Sequence, residues 1–89
     1  MDGTSRLKRK SDLVWREVDG EVVVLAADNR QLQVFNDVGS RIWSLLDSQR
    51  DVSAIAAIIA AEYGEQKDRV ERDTLEHLEE LKRLKLVEE

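Results

Sequence analysis

The chain has no cysteine, no proline and a single histidine in 89 residues. The absence of cysteine excludes disulfides and thiolate metal sites. The absence of proline means that no helix or strand loses a backbone donor along its length. Long apolar runs are missing too. The longest, Ala54 to Ala61, is eight residues of Ala and Ile, far below the roughly 20 needed to span a bilayer. The basic cluster Arg6, Lys8, Arg9, Lys10 is followed by no apolar segment, so no signal peptide is expected and cytoplasmic residence is the default. Basic charge is also in deficit, with 14 Lys and Arg against 19 Asp and Glu and a net charge of −5. A nucleic-acid binder needs a basic face to replace counterions on phosphates.

The machinery of catalysis is equally sparse. His77 has Asp73, Glu76 and Glu80 at helical spacing, the minimum for a metal site, but the same pattern is an ordinary charge-laced helix. The pair Glu79-Glu80 has no apolar pocket or nucleophile implied beside it. There is no Gly-rich phosphate loop and no Ser/His/Asp constellation that can be placed. No enzyme and no cofactor is expected.

What is present is organisation. Residues 1–11 read as a disordered basic arm, and residues 12–89 as one domain. Leu13 to Val18 has strand composition, Asp19-Gly20 supplies a two-residue turn, and Glu21 to Ala26 is apolar on both faces, as a central strand is. Asp28-Asn29 signals another turn. In Gln31 to Phe35, Leu32 and Val34 point one way and Gln31, Gln33 and Phe35 the other, which predicts an edge strand. Asn36 is then a good N-cap, and Val38, Ile42, Leu45 and Leu46 share one helical face flanked by Trp43. Asp47 to Arg50 reads as a polar break. Asp51 caps a second helix with Val52, Ile55, Ile58 and Ile59 buried, closed by Tyr63-Gly64. A third helix from about Gln66 to Leu84 buries Val70, Thr74, Leu78, Leu81 and Leu84, with His77 inside that stripe. Leu86 and Val87 are apolar enough to pack on the sheet. The fold class is α+β and winged-helix-turn-helix-like: a three-stranded antiparallel sheet packed on a three-helix bundle.

Two binding functions fit this frame. A winged-helix DNA regulator would use the third helix, but Glu65 to Lys85 carries seven acids against six bases and would repel the phosphate backbone about as much as attract it. Alternatively, the edge strand accepts an extended peptide as a fourth strand. A third class, a structural module that forms a homodimer through the same edge, stays open.

The chain from about Asp12 to Val87 resembles the PqqD family, the pyrroloquinoline quinone biosynthesis protein D type, whose members include recognition elements for ribosomally made, post-translationally modified peptides. The resemblance rests on Val22-Val23-Val24-Leu25, Phe35-Asn36 and Ile42-Trp43-Ser44-Leu45-Leu46-Asp47. It continues through Asp51-Val52 with Ile55, Tyr63, Leu78, Leu81 and Leu86-Val87. Where the family often has Gly after Leu-Leu-Asp, this chain has Ser48. The resemblance implies a non-catalytic adaptor that binds a precursor's leader peptide between the third strand and the third helix. The leader would add as an antiparallel strand and be presented to a modifying enzyme. Such partners include a radical S-adenosylmethionine protein or a lasso-type protease or cyclase; no nucleic acid and no membrane is implied. Carried onto this sequence, Arg30, Gln31, Leu32, Gln33, Val34 and Phe35 offer the edge, and Val70, Asp73, Thr74 and His77 the helix wall. Leu32, Val34, Val70 and Thr74 would alternatively be plain core. Replacing Gln33 with Pro is expected to remove an edge donor and weaken peptide binding. The charge balance predicts that titration with random duplex DNA gives no salt-dependent mobility shift; a shift that fades with salt would restore the regulator.

Overall fold

The computed structural model describes residues 1–25 and 32–89. In chain order its elements are β1 (Arg6–Arg9), β2 (Val14–Val18), β3 (Glu21–Leu25), β4 (Leu32–Val34), α1 (Asp37–Leu45), β5 (Asp47–Asp51), α2 (Val52–Tyr63), α3 (Lys67–Arg83) and β6 (Val87–Glu88). They form two three-stranded antiparallel sheets, ordered β5-β1-β6 and β2-β3-β4, with three helices.

The second sheet is the expected meander. Asp19 and Gly20 both take positive φ, 52° and 83°, the backbone that lets a two-residue turn match the twist of its strands. β3 is central: Val22 and Val24 are buried against the helices, and Val23 and Leu25 lie half-covered on the other face. β4 lies at one edge, paired among the described residues only with β3. The expected turn at Asp28-Asn29, and the strand residues Ala26 and Gln31, lie outside the described residues.

The helices begin and end where short-range chemistry places them. Asn36 accepts the Gly39 N–H at 2.8 Å, and Asp51 accepts the Ala54 N–H at 2.8 Å. Both satisfy a first-turn donor that the helix itself cannot. Gly64 closes α2 in the left-handed conformation at φ 67°. The α3 stripe of Val70, Thr74, Leu78 and Leu81 is buried as the 3.6-residue period requires. In α2 the buried set is Val52, Ile55, Ala56, Ile59 and Ala60, with Ile58 only packed at the margin. The Ala residues let α3 approach closely.

The first sheet corrects the reading of the N-terminus as a disordered arm. Arg6–Arg9 is a strand, and it is the middle strand of its sheet. Leu7 is 1% exposed and belongs to the same core as Leu86 and Val87. The segment before it is tied down as well: the Ser5 and Gly3 carbonyls accept the Val52 and Ser53 N–H groups, each at 2.9 Å, at the start of α2. The supposed polar break at Asp47 to Arg50 is the partner strand β5. Arg6 lies opposite Asp51, Lys8 opposite Asp47, and Lys8 Nζ is 3.7 Å from Glu88. Arg6 and Lys8 therefore lie beside acidic residues of the neighbouring strands. Ser48 sits at φ 64°, a conformation that costs a non-Gly residue of order 1–2 kcal/mol and that a glycine would adopt without that cost.

Truncating Leu7 tests the corrected architecture. Leu7→Ala should lower the unfolding free energy by about 2–5 kcal/mol, as for other buried leucines. A urea midpoint equal to that of the parent chain would show that β1 is a dispensable tail.

Candidate functional site

The edge of β4 faces a groove of about 470 Å³ between the second sheet and α3. Its lip is Val34 and its floor is apolar, built from Phe35, Val38 and Ile42 on one side and Ile59 and Val70 on the other. Tyr63 stands at the mouth, and Glu65, Arg69 and Asp73 form a charged rim. Arg69 Nε and Asp73 Oδ2 lie 4.0 Å apart and both side chains are exposed, so this pair contributes little to stability.

Backbone geometry determines what the edge can offer. The Phe35 N–H donates to the Val22 carbonyl at 2.9 Å, while Val23 pairs with Val34, Val24 with Gln33 and Leu25 with Leu32. Hydrogen-bonded pairs alternate along an antiparallel ladder, so Gln33, like Phe35, turns its N–H and C=O toward β3. Leu32 and Val34 turn theirs outward. The donor that proline would remove at Gln33 is therefore one that holds β4 to the sheet, and the expected edge donor lies at Leu32 and Val34 instead. β2 has an unpaired edge too, and the hollow near its end, lined by Glu17, Gly20, Asp37, Ser40, Arg41, Ser44 and Tyr63, is mostly polar where the groove beside β4 is apolar.

Ser40 shapes the place where β4 leaves the sheet. Its buried hydroxyl accepts the Val22 N–H at 2.8 Å and donates to the Phe35 carbonyl at 3.3 Å. The hydroxyl thus completes the ladder at the pair Val22 and Phe35, so the chain can bend into α1 without leaving either group unpaired. Gly39 brings α1 close to the site. A Cβ there would meet Asn36 Oδ1 at 3.2 Å, Phe35 Cβ at 3.3 Å and His77 Nε2 at 3.4 Å.

His77 closes the inner wall of the groove. Its ring meets Phe35 edge-on with centroids 5.7 Å apart, and its Nε2 is buried without a hydrogen-bond partner among the described residues. Burial pushes the imidazole below its ordinary pKa, against an opposing pull from the Glu80 carboxylate. Among the described residues no group of three potential ligands assembles around it or elsewhere.

Of the residues named from sequence, the groove gathers Val34, Phe35, Val70, Asp73, Thr74 and His77. Val70 and Thr74 are both buried and part of its wall, so core and site are one set of side chains there. Leu32 and Val34 are not core: they are 61% and 59% exposed, on the sheet face that points away from the helices. Leu32 and Gln33 contribute to the edge and not to the groove lining. Arg30 and Gln31 lie outside the described residues. The sequence reading missed the contribution of α1 and α2, above all Val38, Ile42, Ile59 and Tyr63. No signal in the sequence separates Val38 from the apolar face it shares with Ile42; only the structure shows it 37% exposed in the first turn of α1.

Comparison with known proteins adds the following. The family described as coenzyme PQQ synthesis protein D (PqqD) matches residues 21–87. A solved structure of TbiB1 in complex with the TbiA(beta) leader peptide is 36% identical, with a TM-score of 0.83 over 91% of this chain and 94% of that one. A lasso peptide synthetase B1 complexed with its leader peptide has 18% identity and a TM-score of 0.84, over 96% of this chain and all of that one. The PqqD truncation of Methylobacterium extorquens PqqCD, a stand-alone recognition element solved by NMR, has 22% identity and a TM-score of 0.77 over the whole of both chains. No curated protein sequence matches the chain.

The buried imidazole carries a pH signature. A group whose pKa is lower folded than unfolded leaves stability unaffected above about pH 6.5 and removes it as pH falls, because only the unfolded chain then takes up the proton. The NMR titration midpoint of His77 should therefore lie below that of a free histidine. The stability lost between about pH 7 and pH 5.5 should be smaller in His77→Phe than in the parent. An unshifted midpoint would contradict the buried placement.

Proposed function

Because the chain belongs to the PqqD family, we propose that it is a non-catalytic adaptor for the leader of a ribosomally synthesised precursor peptide. The leader adds to β4 as an antiparallel fourth strand, and the adaptor presents the rest of the precursor to a separate modifying enzyme. The observation that carries this reading is the outward-turned backbone of Leu32 and Val34 beside an apolar groove. Main-chain hydrogen bonds supply affinity that tolerates sequence, and the groove supplies choice. The complexes of TbiB1 and of the lasso peptide synthetase B1 with leader peptides support the same use of this fold.

Each wall of the groove has a role in this reading. A peptide residue facing inward meets Phe35, Val70 and Ile59, while Thr74 and His77 bring polar groups to the same wall. The rim residues Arg69, Asp73 and Glu65 meet the peptide where it leaves the groove. No step of bond making is assigned to any side chain. The benefit is concentration: a bound precursor is held near the enzyme's active site at an effective concentration set by the tether. The enzyme is a radical S-adenosylmethionine protein or a lasso-type protease or cyclase, the two partner classes that the resemblance implies.

The test is a titration of the labelled chain with the leader encoded beside its gene. Amide shifts should concentrate at Leu32, Val34 and Phe35 and along the Val70 to His77 face of α3. Val34→Pro removes an outward donor while keeping the bonds from β4 to β3, and should weaken binding by about tenfold, the worth of one hydrogen bond. Shifts that avoid β4, or an affinity untouched by Val34→Pro in a folded variant, would refute strand addition.

A further inference from the structure

We infer that the peptide taken by this edge carries apolar side chains at two positions separated by one residue, both facing away from the groove, and that Leu32 and Val34 select them. The inference rests on the strand-addition reading and concerns the side of the peptide that the groove does not touch.

The face of the second sheet opposite the helices carries several exposed apolar side chains. Cross-strand rows run over it: Val14, Leu25 and Leu32 form one, and Arg16, Val23 and Val34 the next. Val18 adds a further exposed apolar residue, paired with Glu21. The middle residues, Val23 and Leu25, are half-covered because a neighbour stands on each side. Leu32 and Val34 end their rows and are 61% and 59% exposed. Both rows therefore stop at an apolar side chain that has a neighbour on one flank only.

Register determines what the missing flank would be. The outward N–H and C=O groups belong to Leu32 and Val34, so these two residues form the hydrogen-bonded pairs with an added antiparallel strand. Directly paired residues project their side chains to the same side of a sheet. The two peptide residues opposite Val34 and Leu32 consequently extend the two rows, while the residue between them turns into the groove. An apolar residue at either outer position covers exposed Leu or Val surface. Among the described residues, a charged residue there meets no opposite charge from β4. The nearest basic side chain of these rows, Arg16, stands on β2, three strand spacings or roughly 14 Å away. The groove and the outer face thus impose separate requirements on alternate residues of one peptide.

Selection of a random decapeptide library displayed on phage, against the whole chain, tests this. Binders should share two apolar positions with one residue between them, each enriched roughly two- to fivefold, the range of a favourable cross-strand pair. The variants Leu32→Lys and Val34→Lys change exposed side chains and leave the core intact. Because the added strand is antiparallel, Val34→Lys should convert the earlier of the two positions to Asp or Glu, and Leu32→Lys the later one. The residue between them should be unchanged in both selections. Binders that shift the Leu32 and Val34 amides but whose outer residues ignore both variants would overturn this inference alone. Binders that leave those amides unmoved would overturn strand addition as well.

Discussion

The fold depends on the packing around Trp43. This indole lies in α1 and is completely buried. Its ring meets Trp15 of β2 nearly perpendicularly at 5.9 Å and the tilted ring of Phe35 at 5.5 Å. Its carbonyl accepts a hydrogen bond from Arg9 at 2.7 Å, and the same guanidinium lies 5.2 Å over the Trp15 ring. One residue thereby joins α1 to both sheets, and through Phe35 it reaches His77 on α3. The indole N–H has no acceptor among the described residues, a cost of about 1–3 kcal/mol when such a group is buried. Contact area and aromatic pairing offset it.

That arrangement places the groove on the core itself. Phe35 packs on Trp43 with one side and borders the groove with another, and Ile42, Ile59 and Val70 are shared in the same way. The walls are consequently rigid, set by the packing that holds the domain together. The edge is held differently. β4 is three residues long and bonded on one side only, and its end is anchored by the Ser40 hydroxyl bridging Val22 and Phe35. A firm wall facing a short, open strand suits a ligand that supplies its own backbone.

Much of this was legible because it is local. Asn36, Asp51 and Gly64 mark helix ends through bonds to residues a few positions away, and Asp19-Gly20 makes its turn from its own backbone preferences. The α3 stripe emerges from periodicity alone, whereas the wall of Val70, Asp73, Thr74 and His77 came from the family resemblance and not from the pattern. What stayed hidden is nonlocal. Arg6–Arg9 has a single inward residue, Leu7, and its partners are β5 and β6, some 40 and 80 positions further along. Nothing within the segment distinguishes it from a solvated basic tail. The outward or inward sense of each β4 residue likewise depends on a bond to Val22, and alternation by itself does not say which set of amides is free.

The first sheet has a consequence for how the domain joins to other chains. β1 near the start and β6 near the end are hydrogen-bonded neighbours, with Lys8 opposite Glu88, and no residue of that sheet lines the groove. The first and last strands of the fold thus lie side by side, as the two wires of a plug do. A module of this shape can be spliced into a surface loop of a host with little entropic cost for closing the insertion. Fused through either of these strands, it would hang from the sheet that lies away from the groove, and the groove would stay clear of the host.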